Sequence, residues 1–153
     1  MDWYLFLIYL IICFGAASTG ALFPTGTWYN SLNKPSFNPP NWVFPIAWAC
    51  LYPIIAFAAT QMSENDSRDY AMAFWTLQIV FNTLWTPVFF GLCRIWTGMV
   101  IMICLWISVA LMTLSFFLVE PFLGWILTPY LAWVTFAGVL NYSLLVLNPN
   151  EKK

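Results

Sequence analysis

The charged residues of this chain are completely separated from its apolar runs, and this separation limits what the chain can fold into. The five basic and six acidic residues all lie outside five long apolar runs, at 3–23, 43–62, 71–90, 95–119 and 123–147. A helix that crosses the hydrocarbon core of a membrane needs about 20 apolar residues, and a charge within that core is costly. The sequence therefore predicts an all-α integral membrane bundle of five transmembrane helices, forming one domain over residues 1–153.

The composition supports a membrane protein and excludes other classes. Hydrophobic residues make up 62% of the chain and charged residues 7%, with a mean hydropathy of +0.79. A soluble domain of this size cannot hide so much apolar surface from water, and disorder needs the opposite composition. Membrane β-barrel strands would show alternation of polar and apolar residues, which these runs lack.

The chain also lacks the residues that metal binding, nucleic-acid binding and ion-coupled transport usually need. The chain contains no His, and its four Cys, at positions 13, 50, 93 and 104, form no CxxC pair. We therefore expect no metal site and no resident cofactor. The net charge of −1, without a basic patch, argues against a nucleic-acid partner. No Asp, Glu, Lys or Arg lies within a span, which argues against an ion-coupled transporter.

The loop charges predict an orientation in the membrane. Five spans place Lys34, Arg94 and the C-terminal lysines on one side, and Arg68 on the other. Basic residues favour the cytoplasmic side, so we expect a cytoplasmic C-terminus.

The first loop, residues 24–42, differs from the three short connections. It contains four Pro residues and four aromatic residues, including Tyr29. A long, Pro-stiffened loop in a compact protein is typical of a lid or binding element. We call residues 24–42 the lid loop and expect it to pack on the mouth of the bundle.

Two predicted helices each carry aromatic and amide side chains on a single face. Spacings of 3, 4 and 3 in the third span, and of 3, 4 and 4 in the fifth, keep each set within about 80° of the helix circumference. The two sets are Trp75, Gln78, Asn82 and Trp85, and Tyr130, Trp133, Ala137 and Asn141.

In the second span Trp48 and Tyr52 are one turn apart. The amides and indoles of these three spans have two interpretations. They can cross-link the helices by hydrogen bonds, or they can line a pocket for a flat apolar ligand. The residue types favour neither interpretation over the other.

Several segments are similar to one known family. They are 28–35 (WYNSLNKP), 38–40 (NPP), 42–48 (WVFPIAW), 81–91 (FNTLWTPVFFG), 129–133 (PYLAW) and 140–142 (LNY). In this order and on these spans, they resemble the translocator protein family, also called tryptophan-rich sensory protein or peripheral benzodiazepine receptor.

This resemblance implies a function. Family members form five-helix bundles, often as homodimers, with a pocket near the first loop for porphyrins such as protoporphyrin IX, sterols and synthetic benzodiazepine-type drugs. By motif, the pocket would include Tyr29, Trp48, Asn82, Trp133 and Ala137. The family is also proposed to degrade porphyrins in light, with the positions of Trp48 and Trp133 implicated.

One departure narrows the expectation. The family's sterol motif needs a basic residue soon after the tyrosine, but residues 143–148 after Tyr142 contain none. This argues against sterol binding and favours a bacterial-type, porphyrin-binding member in a bacterial membrane, with the mitochondrial outer membrane as the eukaryotic alternative. The family's dimer contact often uses small residues on the third span. In this chain that span is bulky apart from Ala71 and Ala73, which weakens the expectation of a dimer.

The expected function is therefore membrane-embedded binding, transport or sensing of porphyrins and similar flat hydrophobic ligands. The alternatives are a light-dependent porphyrin-degrading enzyme, with Trp48 and Trp133 as electron donors, and a sterol-binding regulatory protein. The full set of predicted ligand-binding residues is Tyr29, Trp48, Tyr52, Gln78, Asn82, Trp85, Tyr130, Trp133, Ala137 and Asn141.

Overall fold

A computed structural model describes residues 2–151 of the chain. Six α-helices occur in this range, of which five are long. They are α1 (Trp3–Leu22), α2 (Thr27–Ser31), α3 (Val43–Ser63), α4 (Asp69–Thr86), α5 (Ile95–Val119) and α6 (Pro121–Leu147). A π-helical turn, Pro87–Gly91, extends α4, and a 3₁₀ turn, Pro149–Glu151, follows α6. The predicted all-α membrane bundle is confirmed.

The long helices differ in how apolar they are. Within the described residues, α1, α3, α5 and α6 are long and apolar enough to cross a membrane. Helix α4 completes the bundle but is more polar, because it begins at Asp69 and carries Gln78 and Asn82 on its buried face. The predicted third span is therefore the helix with the most polar interior surface.

The helix ends follow from local chemistry. The Asp2 carboxylate accepts hydrogen bonds from the backbone N–H groups of Tyr4 and Leu5, which caps α1. Pro121 opens α6 at a position where no backbone donor is needed. Pro87 cannot donate a backbone hydrogen bond, and the regular α4 helix ends there in the π-helical turn.

Hydrogen bonds between distant residues establish the up-and-down order of the helices. The backbone N–H of Asp2 donates to Glu64 after α3, which joins the start of α1 to the end of α3. At the opposite end, Asn33 of the lid loop is hydrogen-bonded to Asn148 after α6. The lid loop therefore sits at the end where α1, α4 and α6 finish and α3 and α5 begin.

The core lies between α3, α4, α5 and α6. Helix α5 packs most extensively against α6 and α4, and α3 packs against α1 and α6. Helix α1 is peripheral, with only Cys13 and Ala16 buried among its residues. A second, smaller apolar cluster forms where the lid loop packs on the bundle, and it contains Tyr29 and Leu32 of the loop and Phe89.

Candidate ligand site

Two buried polar pairs connect three helices in the interior. The Tyr130 hydroxyl donates to Gln78 Oε1 at 2.7 Å, and the Asn82 side-chain amide donates to the Tyr52 hydroxyl at 3.4 Å. All four side chains are buried. Because α4 places Gln78 and Asn82 one turn apart on the same face, it bonds to α6 through the first and to α3 through the second. These four predicted residues act as cross-links between helices in the described structure.

Trp85 and Asn141 form a separate link. The Trp85 indole N–H donates to Asn141 Oδ1 at 3.0 Å, and the Asn141 amide donates to the backbone carbonyl of Ile95 at 3.4 Å. The Trp85 ring also stacks on Phe89, with centroids 4.9 Å apart and an interplanar angle of 18°. The hydrogen bonds of Trp85 and Asn141 join the end of α4 to α6 and to the start of α5. Trp85 also packs against the smaller apolar cluster.

Trp48 is half-buried beside the two tyrosines of the interior polar pairs, Tyr52 and Tyr130. Its ring stacks on Tyr52 at 5.1 Å with an angle of 24°, and meets Tyr130 edge-on at 6.1 Å. The spacing of one helical turn between Trp48 and Tyr52 explains the stacking, because side chains at i and i+4 share a helix face. Trp48 therefore adds an aromatic ring beside both tyrosines of the interior pairs.

Trp133 lies in a group of aromatic rings at the mouth of the bundle. Phe44 of α3 contacts its ring at 5.9 Å, and Phe136 of α6 at 5.7 Å. Phe136 in turn meets Phe37 of the lid loop at 6.4 Å. The Trp133 Nε1 atom is buried and has no hydrogen-bond partner within residues 2–151. Ala137, one turn further along α6, is half-buried and packs against the main core.

The lid loop is fastened at several points. The Tyr29 ring is buried and meets Phe90 at 5.2 Å, while its hydroxyl donates to Asn38. Burial raises the pKa of the Tyr29 hydroxyl above its ordinary value, so the group is neutral at physiological pH. The Lys34 ammonium lies over the Tyr29 ring, 4.6 Å from its centroid.

The ten predicted residues thus fall into four groups. Tyr52, Gln78, Asn82 and Tyr130 form the interior pairs, with Trp48 stacked on them, and Trp85 and Asn141 pair with each other. Tyr29 belongs to the lid loop and packs against Phe90, and Trp133 and Ala137 lie one turn apart on α6. Within residues 2–151, no three His, Cys, Asp or Glu side chains are grouped as a metal ion would require.

Comparison with known proteins identifies the family. A model of the TspO/MBR family matches residues 6–147. The chain belongs to the TspO/MBR family. Protein CrtK of Rhodobacter capsulatus is 47% identical to it, covering 97% of this chain and 95% of that protein. The tryptophan-rich sensory protein of Cereibacter sphaeroides is 44% identical, covering 99% and 96%. The human translocator protein is 30% identical, covering 76% and 72%.

Family membership confirms the resemblance found in the sequence motifs. As a TspO/MBR chain with apolar helices and close bacterial similarity, the protein is a membrane protein of a sensory and translocator family. All six motifs contain residues whose contacts are described above, and two of them illustrate this. Segment 28–35 contains Asn33, which fastens the lid loop, and segment 129–133 contains both Tyr130 and Trp133.

Sequence reasoning missed several residues of this TspO/MBR site. Phe44 and Phe136 flank Trp133, Phe37 joins them to the lid loop, and Asn148 fastens that loop. One signal was available for Phe136, which follows Trp133 by three residues and so shares its helix face. The Asn33–Asn148 contact spans 115 positions and leaves no local pattern.

Trp48, Trp85, Trp106 and Trp133 lie deep within the predicted spans, which predicts that their indole N–H groups face the interior and find acceptors. Trp85 does so, but Trp106 is 42% exposed and donates to Thr135 on the outer side of the bundle. The expectation was wrong for Trp106 because a hydroxyl on the neighbouring helix satisfies its N–H without burial.

Proposed function

We propose that this protein binds a flat, largely apolar ligand of the porphyrin class between α3 and α6, beneath the lid loop. The observation that carries the proposal is the Trp133 indole N–H, which is buried without an acceptor among residues 2–151. A buried donor without a partner costs about 1–3 kcal/mol, so an arriving acceptor would relieve that cost. A carbonyl or carboxylate oxygen on a ligand would supply it.

The rings around this donor fit a planar ligand. Phe44, Phe136 and the lid residue Phe37 supply aromatic surfaces close to Trp133, and Trp48 supplies another on α3. Flat rings bind well by offset stacking or by edge-to-face contact with such surfaces. In the absence of His, a porphyrin would be held by ring contacts and hydrogen bonds rather than by a His–metal bond.

Polar groups near the aromatic rings can orient the ligand. Asn82 uses one amide hydrogen on Tyr52, at 3.4 Å, and an amide has further donor and acceptor positions. Lys34 lies half-buried in the lid loop and donates to the Asn30 carbonyl. Its ammonium group can also meet an acidic ligand substituent, such as a propionate, at the mouth of the site.

A titration tests this proposal. Protoporphyrin IX, added in the dark to protein in lipid nanodiscs, should quench the intrinsic tryptophan fluorescence saturably. The double variant Trp133→Phe, Asn82→Ala should weaken binding by roughly tenfold or more, since two hydrogen bonds of about 1 kcal/mol each are lost. The matched control is Trp125→Phe, Asn150→Ala, which changes two exposed residues of the same types. Unchanged affinity in the first double variant would refute the site.

The same titration under illumination separates binding from light-dependent degradation. If the protein only binds, any loss of the porphyrin absorption band in light should be equally fast with wild type, Trp48→Phe and Trp133→Phe. Faster loss of the band with wild type than with Trp48→Phe or Trp133→Phe would instead support the enzyme. Sterol binding is tested in parallel by competition with cholesterol, which we expect to be weak.

We also propose that the end carrying the lid loop and residue 148 faces the cytoplasm. Lys34 and Arg94 lie at this end, and Arg68 lies at the other.

Self-association as a homodimer remains a prediction. Of the two small residues on α4, Ala71 is buried within the protomer and only Ala73 is exposed to a second copy.

A further inference from the structure

An open depression lies at the end of the bundle opposite the lid loop. It has a volume of about 580 Å³ and lies between the start of α1, the end of α3 and the start of α4. Its apolar lining comes from Leu5, Tyr9, Met72 and Trp75, and its charged lining from Arg68 and Asp69. An apolar floor with charges at one edge, at the end of membrane-spanning helices, lies where lipid headgroups are found.

Trp75, which lines the depression, carries an unsatisfied hydrogen-bond donor. Trp75 is only 5% exposed, and its Nε1 atom has no acceptor within residues 2–151. Its ring is held edge-on against Tyr9, with centroids 4.8 Å apart. The neighbouring hydroxyls of Tyr9 and Ser63 satisfy each other at 2.6 Å. The indole N–H of Trp75 is therefore the group in this lining that needs a partner.

Arg68 supplies a cation at the edge. One of its nitrogens, Nη1, donates to the backbone carbonyls of Ser63 at 3.1 Å and Asn65 at 3.5 Å. A guanidinium has five donors in a planar fork, so its remaining N–H groups are suited to a phosphate. The two carbonyl contacts hold the side chain next to the depression.

The surroundings of Arg68 are acidic. Asp2, Glu64, Asp66 and Asp69 are exposed at the same end of the bundle, and Arg68 is the one basic residue that the described chain places there. A purely anionic group would meet this acidic surface unfavourably. A group with both a phosphate and an ammonium would satisfy Arg68 and the carboxylates together.

We propose that this depression is a binding site for a zwitterionic phospholipid headgroup with a primary ammonium, of the phosphatidylethanolamine type. The phosphate takes hydrogen bonds from Arg68 and from the Trp75 indole. The ammonium donates to the Asp69 carboxylate at the edge of the depression. The first carbons of the acyl chains lie over Leu5 and Met72. The site is independent of the ligand site beneath the lid loop, because it lies at the opposite end of the helices.

The test uses delipidated protein in a neutral detergent. Short-chain phosphatidylethanolamine, phosphatidylglycerol with the same acyl chains, and soluble phosphoethanolamine are titrated separately, with binding followed by native mass spectrometry and by thermal unfolding. We expect phosphatidylethanolamine to bind saturably and to raise the unfolding temperature. Phosphatidylglycerol and soluble phosphoethanolamine should bind at least fivefold more weakly.

Two variants test the residues. Arg68→Gln removes the cation, and Trp75→Phe removes the donor while retaining an aromatic ring. Each should weaken phosphatidylethanolamine binding, Arg68→Gln by about tenfold because charge-assisted contacts to phosphate are lost. The control Arg94→Gln, which changes an exposed arginine at the other end, should leave binding unchanged. Porphyrin affinity should be unchanged in all three variants.

Several results would overturn the assignment. Phosphatidylglycerol binding as tightly as phosphatidylethanolamine would show that the acidic surface has no selective role. Equal binding of soluble phosphoethanolamine would show that the acyl chains do not contribute and that the ligand is not a lipid. Wild-type binding in both Arg68→Gln and Trp75→Phe would place the lipid elsewhere.

Discussion

Asn33 and Asn148, 115 positions apart in the chain, are joined by two hydrogen bonds. The Asn33 backbone N–H donates to Asn148 Oδ1 at 2.9 Å, and the Asn148 amide donates to the Asn33 carbonyl at 3.0 Å. A single side chain after α6 thus satisfies both backbone groups of a residue in the lid loop. Trp28 adds a second connection by donating to Glu151 at 3.0 Å.

Loss of the Asn148 side chain should release the lid loop. In Asn148→Ala, both hydrogen bonds to Asn33 disappear, so we expect faster hydrogen exchange across residues 24–42 and faster chymotryptic cleavage after the exposed Phe37. If the lid covers the ligand, porphyrin dissociation should also accelerate. Asn150→Ala, which alters an exposed neighbour, is the control and should behave like wild type. Equal exchange in the two variants would contradict the role given to Asn148.

The Gln78–Tyr130 contact should contribute to stability. Tyr130→Phe leaves Gln78 Oε1 buried without a donor and should lower the free energy of unfolding by about 0.5–2 kcal/mol. Denaturant titration in mixed micelles measures this, with Tyr142→Phe at an exposed position as the control.

Gln78 Nε2 already lacks a partner within the described residues. The double variant Tyr130→Phe, Gln78→Met removes both polar groups and should therefore recover part of the loss. A double variant less stable than Tyr130→Phe alone would contradict this explanation.

Trp85 should matter more for stability than for binding. Its N–H is already satisfied by Asn141 and its ring is stacked on Phe89. We expect Trp85→Phe to lower the unfolding temperature while changing porphyrin affinity less than twofold, since less than about 0.4 kcal/mol of binding energy is then involved. Trp133→Phe should instead weaken porphyrin binding and change the unfolding temperature little. A Trp85→Phe variant with full stability and weakened binding would move Trp85 into the ligand site.

Alkaline pH should weaken the anchoring of the lid loop through Tyr29. Burial raises the pKa of Tyr29 above its ordinary value of about 10, so the unfolded chain loses this proton first as pH rises. The contribution of Tyr29 to stability is therefore complete below about pH 10 and declines as the pH approaches the folded-state pKa. Unfolding free energies measured from about pH 8 to pH 11 should fall more steeply for wild type than for Tyr29→Phe. Parallel curves for the two proteins would contradict this.

The bundle could be predicted because its cause is local. Each apolar run is long enough to cross the membrane by itself, and every charge is confined to a connection or an end. The shared faces of Gln78, Asn82 and Tyr130 could also be predicted, because helical periodicity fixes which side chains lie on one side of a helix. Those residues are indeed together in the interior.

The rest depends on how helices meet. Periodicity could not show that Trp85 would pair with Asn141 while Trp133 would be left without an acceptor. It could not bring Phe37 and Phe44 to Trp133, or Asn148 to Asn33, since these contacts join separate segments of the chain. The depression beside Trp75 was also missed, because three helix ends form it together.

The central claim is that the Trp133 indole N–H receives a hydrogen bond from the ligand. Its most direct test is a two-dimensional ¹H–¹⁵N spectrum of protein labelled at the indole nitrogens of its ten Trp residues. Trp133→Phe and Trp125→Phe identify the signals of the site and of an exposed control. On addition of protoporphyrin IX in the dark, the Trp133 indole signal should move downfield as its N–H gains an acceptor, with the Trp125 signal unchanged. A Trp133 signal that stays in place at saturating ligand would contradict the account.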